Sequence, residues 1–416
     1  MSNSPRPPSS HFDFKDPAIW AAGVPHETIA SLRRSTPVYW NDEEDGTGFW
    51  AVLRHEDIIE VSRRPDIFSS ATANGGHRIF NENEVGLTGA GQGAVGIPFI
   101  SMDPPDHQKY RMRLAPGFSA RKLRELSARI EQRAKDLLGT LSPDAAVDWV
   151  ETLAAPFPLM TLAELLGVPG SDWQKLYHWT NAFIGEDDPD FRASPEDIAD
   201  RMAEFGQYVA WLFEARRREP GDDLISALAN AEIDGASVPF EQFMADMVLV
   251  TVGGNETVRN SISNGVMAFA QFPDQWALFC EHPELRPKAI EEVVRYVSPV
   301  LHMRRTATQD TFIGETAIAQ GDKVVLWYVA GNRDEAAYPN PHNFDIRRSG
   351  TRHLGFGTGQ HVCIGQRLAE LQLQILFGEI AKRYSGFEIT TPASRLRSNF
   401  INGIKSLQVR PVPSTR

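Results

Sequence analysis

At 416 residues with 42% hydrophobic content, the chain has ample material for a large buried core. Its formal net charge of −12 argues against general nucleic-acid binding, and two cysteines, Cys280 and Cys363, without a CxxC pair argue against a disulfide scaffold or a zinc site. The longest apolar candidate, MVLVTVGG, is too short to span a bilayer and the N-terminal segment lacks an apolar signal core, so a cytoplasmic protein with no membrane span is expected.

Residues 1–15 are polar and rich in proline and serine, and are expected to form a flexible tail. GFWAVLR (48–54) has the apolar run of a strand. Residues 71–100 are rich in glycine and asparagine, lack periodicity and read as a mobile loop. Within them Gly91-x-Gly93-x-x-Gly96 matches a dinucleotide fingerprint, but it neither follows a buried strand nor opens a helix, and it runs into Ile97-Pro98. ARKLRELSARIEQRAKDLLGTL is an amphipathic helix with Leu123, Leu126, Ile130, Ala134 and Leu137 on its core face.

From about 239 to 271, Phe240, Phe243, Met247 and Val250 keep a helical period. Such a helix would be about 50 Å long. Gly253, Gly254 and Asn255 interrupt it, each costing up to about 1 kcal/mol against alanine, which predicts a local opening of the hydrogen-bond ladder before Glu256 and Thr257. In PKAIEEVVRYVSPV, the i, i+3 spacing lets Glu292 and Arg295 pair on one helix face. KVVLWYVAG (323–331) and the terminal FINGIKSLQVRP read as strands. The fold class is mainly α with small β-sheets, an α+β arrangement.

Phe356-Gly-Thr-Gly359-Gln-His361-Val-Cys363-Ile-Gly365 frames one thiol with glycines, immediately before a helical run with Ile364, Leu368, Leu371 and Ile375 in phase. Glycines let the backbone fold tightly around one sulfur and approach a flat ligand closely. A helix N-terminus favours thiolate over thiol. This stretch resembles the haem-binding loop of the cytochrome P450 superfamily, F-x-x-G-x-x-x-C-x-G, at every fixed position, and Glu292-x-x-Arg295 is similar to the family's ExxR motif. The resemblance covers nearly the whole chain and implies one haem-thiolate domain over 16–416, of the bacterial type without a membrane anchor.

The resemblance implies haem b (iron protoporphyrin IX) as cofactor, with Cys363 as the iron ligand and Phe356, Gly357 and Gly365 shaping its loop. His107, Arg111, Arg305, His353 and His361 match the family's propionate partners, with Arg304 able to exchange roles with Arg305. Glu256 would relay protons and Thr257 would hold the iron's oxygen ligand, on a kinked helix over the haem. Val258 stands where a hydroxyl residue is common. The ExxR pair usually gains a third basic residue; Asn343 occupies that place, leaving the triad incomplete or completed by His342 or Arg347.

The activity implied is insertion of one atom of O2 into a C–H bond of a hydrophobic small molecule. Because the chain has no nicotinamide or flavin site of its own, electrons are expected from a ferredoxin and its reductase. Arg113, Arg121, Lys122 and Arg124 form a basic cluster that either docks an acidic ferredoxin or is simply a solvated helix face. HWTNAFIGEDDPDF and GNETVRNS look like bacterial members acting on steroid side chains, branched lipids or alkanes. The expected pocket wall is Phe183, Ile184, Val248, Val252, Val300, Leu301, Met303, Phe400 and Ile401, with His302 as its polar contact. The alternatives are a terpenoid or aromatic hydroxylase, a peroxide-driven oxidant and a non-catalytic haem carrier.

Overall fold

Helical periodicity governs most of the chain. The computed structural model describes residues 12–44, 46–79, 96–142, 145–185, 187–191 and 194–414. The helices that build the site are α1 (Asp106–Leu114), α2 (Ala120–Gly139), α3 (Pro156–Leu166), α4 (Trp173–Ile184), α5 (Pro195–Arg218), α6 (Phe240–Gln271), α7 (Arg286–Val297) and α8 (Gln366–Ala381). In α2, Leu123, Leu126, Ile130 and Ala134 are buried as expected, but Leu138 completes the face in place of Leu137. A step of four from Ala134 keeps the stripe in phase with 3.6 residues per turn, and a step of three falls to its edge.

Helix α6 is the longest, at 32 residues, and is buried along most of its length. It packs against α3, α4, α5, α7 and α8, so it is the axis around which the other helices are arranged. The expected opening of the ladder at Gly253, Gly254 and Asn255 is not seen, the helix running unbroken through them, but the Thr257 hydroxyl donates to the Gly253 carbonyl one turn back, at 2.9 Å. Back-bonding of this kind bends helices.

A five-stranded sheet stands beside the helices. Its strands are β1 (Val38–Asn41), β2 (Phe49–Val52), β3 (Phe68–Ser69), β4 (His302–Ala307) and β5 (Lys323–Trp327), in the order β1-β2-β5-β4-β3. Strand β5 runs parallel to β2 and antiparallel to β4, with Leu326 opposite Met303 and Val324 opposite Arg305. Successive side chains leave a strand on opposite faces. Met303 and Arg305 therefore share the face turned to the cavity described below, and Arg304 turns away to donate to the Asn74 carbonyl at 3.3 Å. Arg304 and Arg305 are thus not interchangeable.

Two expected loose segments fall partly outside the described residues: 1–11 of the tail, and 80–95 of the loop, which includes Gly91 and Gly93. The described part of the tail, 12–15, is packed rather than loose. Phe14 is fully buried, its ring 4.8 Å from Trp327, and its amide donates to Asn41 Oδ1 at 2.7 Å. At the end of the loop Gly96 has a left-handed φ of +72°, and Gln242 Nε2 donates to the Ile97 carbonyl at 2.9 Å, tying this segment to the start of α6.

Glu292 and Arg295 on α7 form a buried two-pronged pair, Nε–Oε2 2.7 Å and Nη2–Oε1 2.8 Å. Arg295 also donates to the carbonyls of Asn332, Pro341 and Asn343. The third basic residue is Arg348, whose Nε lies 3.1 Å from Glu292 Oε2. Neither residue expected there fills the place. Arg347 points outward and pairs with Asp345 at 3.5 Å, while His342 packs beside His26. Asn343 serves through its backbone carbonyl. Arg348→Ala should lower unfolding stability by about 1–3 kcal/mol, and Arg347→Ala, which loses only an exposed pair, by no more than about 1 kcal/mol. Urea unfolding of the two variants checks this, and equal losses would contradict the assignment.

Candidate functional site

The cysteine loop is shaped by backbone sterics. Gly357 and Gly359 adopt left-handed φ values of +69° and +70°. A Cβ on Gly359 would lie 2.3 Å from the Ser62 carbonyl oxygen, so only glycine lets the loop press against the end of the helix His55–Ser62. The amide of Cys363 donates to the Phe356 carbonyl at 2.8 Å and that of Gly357 to Leu354 at 2.8 Å. Gly365 caps α8.

The Cys363 sulfur is open to a cavity yet lies deep within the protein. Burial pushes its thiol pKa up, against the downward pull of the Gly365 and Gln366 amides and of Arg111. The amides at the helix terminus favour the thiolate, as expected, but burial outweighs them. A cation bound to the sulfur would favour the thiolate, because it inverts the local balance.

Across the cavity from the sulfur runs α6. The cavity encloses about 1690 Å³ of unfilled space, its mouth included. Gly253 faces it with open space where a Cβ would be, whereas a Cβ on Gly254 would come within 3.2 Å of Leu162 on α3. One glycine thus widens the cavity and the other brings a helix close. Thr257 and Glu256 also line it.

The Glu256 side chain is completely buried. Its carboxylate accepts from Asn255 Nδ2 at 3.0 Å and pairs with Arg259, which in turn donates to Asn181 of α4 at 3.0 Å. Burial pushes its carboxyl pKa up despite the opposing pull of Arg259.

One end of the cavity is polar. Arg111, Arg305 and His361 line it, together with His77 and Tyr328, which the sequence reading missed. His107 stands just behind, its ring 4.2 Å from that of His361. His353 does not join them: its Nε2 lies 2.9 Å from Glu291 Oε2 and its Nδ1 accepts from the Gly355 amide, so it braces the loop from outside the lining. Tyr328 follows β5 directly, and His77 follows Gly75-Gly76. Only the sheet brings these distant positions together.

Of the expected pocket wall, Val252, Val300, Met303, Phe400 and Ile401 line the cavity, and Phe183, Val248 and Leu301 do not. Phe183 turns toward Phe205 of α5, ring centroids 5.2 Å apart. The α6 lining begins at Leu249, past Val248, and Leu301 is buried in the aromatic cluster of Trp20 and Trp327. The Ile184 side chain lies outside the described residues. His302 is no polar contact either; its Nδ1 bonds to the Asn399 carbonyl and its ring packs between Trp327 and Phe400. In the basic cluster, Arg113 is buried against Asp246 at 2.7 Å and Lys122 donates to the Asp222 carbonyl, leaving Arg121 and Arg124 exposed.

Among the described residues, no group of three or more His, Cys, Asp or Glu could hold a metal ion. Iron held here by one sulfur would need its remaining ligands from a macrocycle. The surroundings suit one: apolar walls, a glycine-lined floor, two arginines at one end, and buried atoms without a protein partner, His107 Nε2 and His361 Nδ1, beside them. Haem, flat and apolar with two carboxylates on one edge, fits this set.

Comparisons with known proteins agree. A family model described as Cytochrome P450 matches residues 281–409. The chain is 55% identical over 401 residues to linalool 8-monooxygenase of Pseudomonas putida, covering 96% of this chain and 99% of that one. It is 37% identical over 416 residues to a steroid C26-monooxygenase of Rhodococcus jostii, covering 96% and 84%. A Mycobacterium marinum cytochrome P450 solved in complex with pseudoionone superposes with a TM-score of 0.89 at 33% identity, covering 98% and 100%. The chain belongs to the cytochrome P450 family and is a haem-iron monooxygenase of hydrophobic small molecules that draws electrons from a separate partner.

Proposed function

We propose that this enzyme holds haem b through Cys363 and hydroxylates a terminal or methyl carbon of a small branched isoprenoid, in the cytoplasm, with electrons from a ferredoxin and its reductase. The observation that carries the reading is that Cys363 and the glycine-bearing stretch of α6 line one cavity whose polar groups gather at one end. Whole-chain identity of 55% to an enzyme named for linalool favours a terpenoid over the steroid and alkane substrates also weighed. Arg111, Arg305, His361 and His107 would hold the haem carboxylates. Two cysteines without a CxxC pair suit a reducing compartment.

When bound, thiolate-ligated haem supplies O2 activation and the oxidation of an unactivated C–H bond. The protein does the rest. Glu256 holds a proton at its buried carboxyl and passes it toward the Thr257 hydroxyl, which faces the cavity and can donate while accepting. Arg259 and Asn255 keep that carboxyl in place. Val252, Val300, Met303, Phe400 and Ile401 exclude water and orient an apolar substrate.

Reduced wild-type protein with CO should show the red-shifted band of a thiolate ligand, and Cys363→Ser should lose both the band and hydroxylation; retained hydroxylation would overturn the reading. Thr257→Ala should uncouple NADH consumption from product and release peroxide, and Glu256→Gln should slow turnover by about a hundredfold, within the range for loss of a general acid. Product and peroxide per NADH measure both, and full coupling in Thr257→Ala would remove its role. Arg121→Glu combined with Arg124→Glu should slow reduction by ferredoxin at low salt and converge with wild type at high salt; stopped-flow reduction at unchanged rate would remove the docking surface.

A further inference from the structure

His77 enters the polar end of the cavity from a segment remote from every motif. Gly75 and Gly76 adopt left-handed φ values of +97° and +77°, and a Cβ on Gly75 would lie 2.1 Å from Arg304 Nη2. This turn brings the His77 carbonyl to the Arg304 amide at 2.7 Å, pinning the residue to β4, the strand that carries Arg305. The His77 ring lies against Ser101, Nδ1 to Oγ 2.6 Å. Ser101 is 4% exposed, and its hydroxyl has no other acceptor among the described residues. A buried hydroxyl proton needs an acceptor, so Ser101 donates to Nδ1. The ring then carries its own proton on Nε2.

Charge supports the same conclusion. Burial, with Arg78 and Arg305 nearby, pulls the His77 pKa down to about 3, so the ring is neutral at physiological pH. Burial likewise lowers His107 to about 4. This end of the cavity thus presents two guanidiniums, Arg111 and Arg305, and the neutral imidazoles of His77 and His107 beside them. Two positive charges match a dianion. The imidazoles add donors without adding charge.

We propose that His77 is a haem-carboxylate ligand, donating from Nε2 to a propionate, and that Ser101 is the positioning residue that fixes its tautomer. The proposal rests on the haem reading above. Holoenzyme carrying His77→Ala, His77→Gln or Ser101→Ala is mixed with excess apomyoglobin, and haem transfer is timed. His77→Ala should release haem about tenfold faster, the loss of one hydrogen bond to a charged group. Its propionate-bending band in the resonance Raman spectrum should shift, with the reduced-CO spectrum unchanged. His77→Gln, which keeps an N–H, should restore most of the retention, and Ser101→Ala should fall between wild type and His77→Ala. Wild-type release and an unmoved propionate band in His77→Ala would overturn the proposal. Should that variant not fold, the same result in Ser101→Ala overturns it. A wild type without the thiolate CO band would sink the haem-thiolate reading itself, whereas a normal band with unchanged release sinks only the role of His77.

Discussion

One sulfur must face an apolar cavity while the backbone around it stays fully hydrogen-bonded. That requirement shapes everything near Cys363. The loop bends back on itself through Gly357 and Gly359, closes with the Cys363 amide on Phe356, and hands the chain to α8 at Gly365. The Glu292–Arg295–Arg348 cluster holds the segment before it by satisfying carbonyls from Asn332 to Asn343. Burial opposes ionisation of the thiol, while the Gly365 and Gln366 amides and Arg111 favour it.

The cavity is polar at one end and apolar along its other walls. Sheet and helices both line it. Strand β4 sends Met303 and Arg305 to the same face two residues apart, one to each region. Helix α6 presents Gly253 and Thr257 to the cavity, while the Glu256 carboxylate is gripped by Arg259, itself tied to α4. A carboxyl so completely buried needs such partners, and they hold it beside the cavity.

Features set by local rules were legible in the sequence. Glycine at left-handed positions marked the cysteine loop, helical period gave α2 and nearly the full extent of α6, and apolar runs gave β2 and β5, although the run read as β5 continues into a short helix at Tyr328–Gly331. Features set by which surfaces meet were not. Arg348 and Arg347 are adjacent, and only the path of the chain after Asn343 decides which one reaches Glu292. His353 matched a motif position but found Glu291 first. Phe183 and Leu301 are apolar like their neighbours, and nothing local told core from cavity. His77 had no signal beyond the two glycines before it.

The most direct measurement is iron K-edge X-ray absorption on the purified holoenzyme. The account predicts one sulfur in the first coordination shell alongside four in-plane nitrogens, with the sulfur lost in Cys363→Ala. A first shell of nitrogen and oxygen alone, or a sulfur that persists in that variant, would contradict it.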